Sequence, residues 1–190
     1  MKPKNLKARI VFILTSFLMG TAALQSGCVT SSNTHAYDAD ATATLQQLYA
    51  ESPVAASLGK QAKGILIFPD ILNGGFIIGA HHGNGVLRVN GQTAGYYNTV
   101  AASYGLQAGI QRYGFVLFLM NDNAMSYLHA SDGWELGVGP TIVIVDQGLA
   151  GSLSTTTLRG DVYAFAFNQT GLMGGIGIEG SKITEVTPDE

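Results

Sequence analysis

Four histidines, one cysteine, a run of alternating glycines and a few isolated serines and acids are the residues of this 190-residue chain whose types could do chemistry. His81 and His82 are adjacent in an extended stretch, where neighbouring side chains point to opposite faces, so one ion does not take both. His35 and His129 are remote in sequence, and there is no His-Glu-x-x-His pair, cysteine pair or Asp-rich calcium loop. Beside Gly83-Asn84-Gly85 the two histidines read as part of a turn. Gly175-Ile176-Gly177-Ile178-Glu179-Gly180 spells a dinucleotide fingerprint, but that mechanism needs a helix opening from the glycines and an acid about 20 residues further on. Only ten residues remain, and the run reads as a bent strand. Ser103 and Ser152 lie outside any Gly-x-Ser-x-Gly elbow, and Asp132 with Glu135 forms no selected acid pair. The expectation is a protein that is not an enzyme, with no catalytic residues, no metal and no cofactor.

Composition narrows the rest. Charged residues are 12% and hydrophobic ones 46%, which excludes a disordered tail, and 25 glycines without a three-residue period exclude collagen. A single cysteine excludes an intramolecular disulfide framework, and a net charge of −3 offers no broad surface for nucleic acid.

The first 27 residues read as an address. Lys2, Lys4, Lys7 and Arg9 precede the apolar run Ile10 to Leu18, and small residues follow at Gly20, Thr21, Ala22 and Ala23. The run is shorter than the roughly 20 residues a spanning helix needs. Leu24-Gln25-Ser26-Gly27-Cys28 then resembles the lipobox of bacterial lipoproteins, with Gln25 where a branched aliphatic residue usually sits. That resemblance implies a lipoprotein signal peptide over 1–27 and fatty acylation (palmitate and related chains) of Cys28. Several chains at about 0.8 kcal/mol per buried CH2 make such an anchor effectively permanent. Val29 and Thr30 follow the cysteine in place of a retaining Asp, so the resemblance implies a cell-envelope protein anchored in the outer membrane. Removal of the signal leaves six basic residues against 13 acids, a net charge of −7.

Residues 28–41 are small and polar and read as a flexible tether, with a reach on the order of 20 Å. Leu45, Leu48 and Tyr49 have the spacing of one helix face, and Ser52-Pro53 reads as an N-cap followed by proline at the first helical position of a second helix, Val54 to about Lys60. From Gly64 onward the pattern is that of short strands: Ile65 to Phe68 ending at Pro69-Asp70, Phe76 to Ile78, Val86 to Val89 closed by Asn90-Gly91, Tyr96-Tyr97, Val100 to Gln111, Phe115 to Met120, Thr141 to Val145, Val162 to Phe167 and Gly171 to Ile178. A short helix interrupts them near 122–129, capped by Asn121 or Asp122. The predicted fold is mainly β (α+β): a curled antiparallel sheet or small β-barrel with one or two N-terminal helices, over residues 42–184, followed by a C-terminal tail at 185–190.

Ala62-Lys63-Gly64-Ile65-Leu66-Ile67-Phe68-Pro69, Gly75 to Gly79, Gly83 to Leu87, Tyr104 to Gly109, Leu117 to Asn121 and Gly171 to Ser181 together resemble a SYLF domain. The resemblance implies binding to acidic phospholipids such as phosphatidic acid or phosphoinositides, and in some relatives to actin filaments, the latter relevant here only on exposure to a host. It places lipid contact in the N-terminal segment, so Lys60 and Lys63 are the candidate headgroup ligands and Leu45, Leu48 and Tyr49 the candidate apolar contacts. Thr170 stands where the family commonly has Lys. The expected partner is membrane phospholipid. An envelope-protein interaction module and a carrier of a small hydrophobic ligand are the alternatives.

Overall fold

The computed structural model describes residues 30–130, 134–135, 139–145, 159–171 and 181–187. Two long strands carry most of the sheet: β1 (Gly64–Val89) and β2 (Gln92–Leu119), antiparallel and joined by the two-residue turn predicted at Asn90-Gly91. Both turn residues have positive φ, 52° and 79°, which the Asn-Gly pair adopts at little cost. Strands of 26 and 28 residues far exceed the usual five or six, and they do not run straight. Register shifts fall between Phe68 and Ile71, Phe76 and Ile78, and Leu87 and Arg88.

The hairpin is thereby doubled over. Its first arm pairs residues 64–76 with 108–119, and its second pairs 78–89 with 92–104. A Cβ on Gly83 would lie 2.8 Å from Ile71 Cγ1, and one on Gly85 would lie 2.5 Å from the Phe68 ring and 2.9 Å from the Ile67 carbonyl oxygen. The two arms therefore press together where glycine removes the side chain. The Gly83-Asn84-Gly85 stretch, expected as a turn, is strand interior. Pro69-Asp70, expected to end a strand, is instead absorbed by the first register shift, a position that tolerates proline's missing N–H.

On its far edge β2 holds two further strands in succession. Residues 111–119 pair with β5 (Val162–Gly171), and 96–100 pair with β6 (Lys182–Val186). β3 (Trp134–Glu135) extends the sheet beyond β6. β4 (Ile142–Val145) lies parallel to β5, the one departure from the expected antiparallel pattern among the described strands. β6 was not anticipated, and it carries Glu185 and Val186 of the expected tail into the sheet. The molecule is mainly β, a curled sheet with helices against it.

The first arm is apolar on both faces, which explains its unbroken hydrophobic runs. Leu66, Phe68, Phe115, Leu117 and Leu119 point inward to a cluster with Tyr97, Trp134 and Ile183. Ile67, Val116 and Phe118 point to a second cluster with the helices α1 (Thr30–Glu51) and α2 (Pro53–Gly59). In α2, Ser52 caps as predicted, its Oγ accepting from Ala55 N at 3.2 Å, and Ala55 and Leu58 are fully buried. α3 (Asp122–His129) is capped by Asn121, whose Oδ1 accepts from Ala124 N at 2.9 Å and whose Nδ2 donates to Asp161 at 2.6 Å.

The segment expected as tether is helical from Thr30 onward. Tyr37, Ala41, Leu45 and Leu48 fall four, four and three residues apart and all belong to the second cluster, with Ala41 fully buried. Its alanine and tyrosine contacts, set among threonines and aspartates, hide the stripe from a reading based on aliphatic residues. The proposed Cys28 anchor and the glycine run after Gly171 lie outside the described residues.

Packing of the arms makes a direct expectation. Gly85→Ala should lower stability by about 1–3 kcal/mol through overpacking against Phe68. Gly74→Ala, whose Cβ would meet nothing closer than 3.8 Å, should be nearly neutral. Thermal or urea denaturation of the two variants checks the contrast.

Candidate functional site

Beside α1, a groove of about 490 Å³ opens between that helix, the α2–β1 connection, the start of β1 and the Asn90-Gly91 turn. Leu45 and Tyr49 from α1, Ala62 from the connection, and Ile65 and Ile67 from β1 make its apolar lining, with Lys60, Lys63 and Arg88 among the lining residues as well. Four of the five residues singled out from sequence therefore meet in one place. The fifth does not: Leu48 is 2% exposed and packed in the second cluster, so it is a core residue rather than a lipid contact. On a helix lying against a sheet only the flank of the apolar stripe stays open, and Leu48 sits at its centre.

Tyr49 forms one wall. Its ring stacks on Phe118 with centroids 6.4 Å apart and planes 21° from parallel. A Cβ on Gly59 would overlap the Tyr49 hydroxyl, so α2 allows the ring to lie against it only because glycine stands there. Burial pushes the Tyr49 phenol pKa up from its ordinary value, so the group stays neutral at physiological pH.

The three basic side chains differ in what holds them. Arg88 Nη2 donates to the Asp38 carbonyl oxygen at 3.0 Å and to Thr42 Oγ1 at 3.1 Å, and lies 3.6 Å from Asp38 Oδ1. Thr93 Oγ1 donates to the same carboxylate at 2.7 Å, and Tyr37 packs on Tyr96 at 6.4 Å. Those contacts latch the N-terminal half of α1 to the hairpin. Lys63 Nζ lies 3.4 Å from Asp122 Oδ1, an exposed pair worth little on its own. Lys60 is exposed and has no acidic partner among the described residues. Sequence reasoning missed Arg88 because its importance comes from a partner 50 residues away. Its place two residues before the Asn-Gly turn was the available signal.

The described histidines of the sheet and α3 lie apart from this groove. His81 is 7% exposed with Nε2 3.3 Å from Thr99 Oγ1, while His82 is exposed on the opposite face. His129 Nδ1 lies 3.3 Å from the Tyr97 hydroxyl. No three His, Cys, Asp or Glu side chains gather as metal ligands among the described residues. No helix among them is long and apolar enough to cross a membrane.

Residues 100–189 match the family model Ysc84, described as Las17-binding protein actin regulator. That stretch belongs to the SYLF (Ysc84) family. The SYLF match begins inside β2 and takes in α3 and β3 to β6, the strands that flank the doubled hairpin. The groove, built from Ala41 to Gly91, precedes the SYLF-matched residues, so its chemistry is read from geometry alone. No curated protein matches the chain.

Two measurements probe these contacts. Arg88→Ala leaves the Asp38 carboxylate without its cation and should cost about 1–3 kcal/mol. It should also speed amide hydrogen exchange across residues 34–42, whereas unchanged exchange there would show that the latch holds nothing. For His81, burial first and the neighbouring His82 second lower its pKa below the ordinary 6.5. The folded state therefore binds this proton less readily than the unfolded chain. Its contribution is level above about pH 6.5 and is lost as pH falls through the lowered value. Denaturation profiles from about pH 7.5 down to about pH 5 should decline less steeply in His81→Gln than in the parent chain.

Proposed function

We propose that this is a non-enzymatic, lipid-anchored protein of the bacterial envelope whose SYLF domain binds acidic phospholipid. The observation that carries the reading is the groove, where an apolar floor meets basic side chains at Lys60 and Lys63. An amphiphile with a negative head is the ligand class complementary to such a surface. The family description is compatible with it, and so is the lipobox-like sequence ending at Cys28.

Magnitudes set what the domain does alone. Each lysine near an anionic membrane surface contributes about 1 kcal/mol. The processed chain carries a net −7, which opposes approach to the same surface. Binding is therefore weak in free solution and depends on acyl chains at Cys28 to hold the domain at high effective concentration. Residues 30–41, read from sequence as part of the tether, are helical within the 22-residue α1, about 33 Å long, and so add little slack between Cys28 and the groove. Phosphatidic acid and phosphoinositides are the proposed headgroups and the outer membrane the proposed location.

A protein partner is the second reading, supported by the family description, which names a Las17-binding actin regulator. For an exported bacterial protein that reading becomes an envelope-protein partner, with actin met only on contact with a host.

Co-sedimentation of the chain from Thr30 onward with vesicles tests the first reading. Phosphatidic acid vesicles should retain it more than phosphatidylcholine vesicles, and Lys60→Gln with Lys63→Gln should lower retention by about thirtyfold. Equal failure with both vesicle types removes the reading. Recovery of an envelope protein that is indifferent to both substitutions supports the second.

A further inference from the structure

We infer that the groove takes up one acyl chain of a single-chain amphiphile bearing one anionic group, rather than merely resting on a bilayer of intact phospholipids. The inference rests on the reading that this groove faces lipid, and it adds the class of molecule that enters.

Volume is the first argument. The groove's 490 Å³ lies within the range of about 300–1,000 Å³ typical of sites that enclose small molecules. A methylene fills roughly the space of a water molecule, about 30 Å³, so the groove holds on the order of 16 chain atoms. That is one fatty chain and not two. Its apolar walls come from three separate elements, α1 through Leu45 and Tyr49, the connection through Ala62, and β1 through Ile65 and Ile67. A chain lying there is covered on more than one side, which a flat membrane-facing helix would not provide.

Charge is the second argument. Arg88 already faces the Asp38 carboxylate and donates to three further oxygens, and Lys63 faces Asp122. Lys60 is left as the cation at the groove without an acid among the described residues. Lys60 is therefore the groove cation least engaged by an acid, and one negative group, a carboxylate or a phosphate, is what meets it. The third argument is the wall itself. Gly59 and Phe118 hold the Tyr49 ring flat, so the groove stays open without any side chain having to swing away.

The test is native mass spectrometry of the full chain released from detergent, with three probes added separately: palmitate, palmitoyl lysophosphatidate and palmitoyl lysophosphatidylcholine. Retention of one molecule of either anionic probe, in excess over the zwitterionic one, is the expected result, and the carboxylate and phosphate arms tell which anion is preferred. Lys60→Gln should weaken retention about fivefold. Gln46→Trp, at an exposed position lining the groove, should block it while the far-ultraviolet spectrum stays that of the parent chain. Equal retention of all three probes, retention of none, or retention undisturbed by Gln46→Trp overturns the inference. Vesicle binding without uptake of single-chain probes leaves the phospholipid reading standing and removes this one. Uptake without vesicle binding does the reverse.

Discussion

The close contact between the two arms of one hairpin is the constraint on which the rest of the molecule depends. β1 and β2 could have lain flat as a two-stranded ribbon, which is at best marginally stable in water. Doubling the ribbon brings Gly83 and Gly85 against Ile71 and Phe68 and closes an inner cluster that Trp134 and Ile183 complete. The same fold leaves the outer face of the first arm, with Ile67, Val116 and Phe118, needing cover of its own. α1 and α2 supply that cover. Fully burying a leucine such as Leu48 or Leu58 contributes about 1.5–3 kcal/mol, so the helices are integral to the core. The groove lies along this cover, between α1 and the start of β1.

Much of that was legible in the residues. The alternation of apolar strands and glycines indicated a curled β structure, Asn90-Gly91 marked its hairpin, and Ser52-Pro53 and Asn121 marked two helix starts. What was not legible is long-range. Nothing local distinguishes a strand that stops at Pro69-Asp70 from one that carries a bulge there and continues, because the partner strand decides. In the N-terminal half of α1, Arg88 and Thr93 hold Asp38 through contacts 50 and 55 residues away. Ala41 looked like a spacer and is fully buried. The site was half legible for the same reason. Spacing put Leu45, Leu48 and Tyr49 on one face, but only the tertiary packing of the second cluster separates a buried Leu48 from its partly open neighbours.

The charges around the groove divide its labour. Arg88 is structural: it ties α1 to the hairpin beside the groove. Lys63 is shared with Asp122 at the start of α3, which links the groove to the SYLF-matched residues. Lys60 is exposed and has no acidic partner among the described residues.

Photo-crosslinking locates the lipid contact most directly. The chain would be mixed with anionic vesicles containing a lipid that bears a photoreactive group on its acyl chain, and the adducts mapped by peptide mass. The account predicts adducts on the Leu45–Tyr49 turn of α1 and on the Ala62–Ile65 stretch. Adducts concentrated on the exposed sheet positions Leu72 and Ile110, with the groove unlabelled, would contradict it.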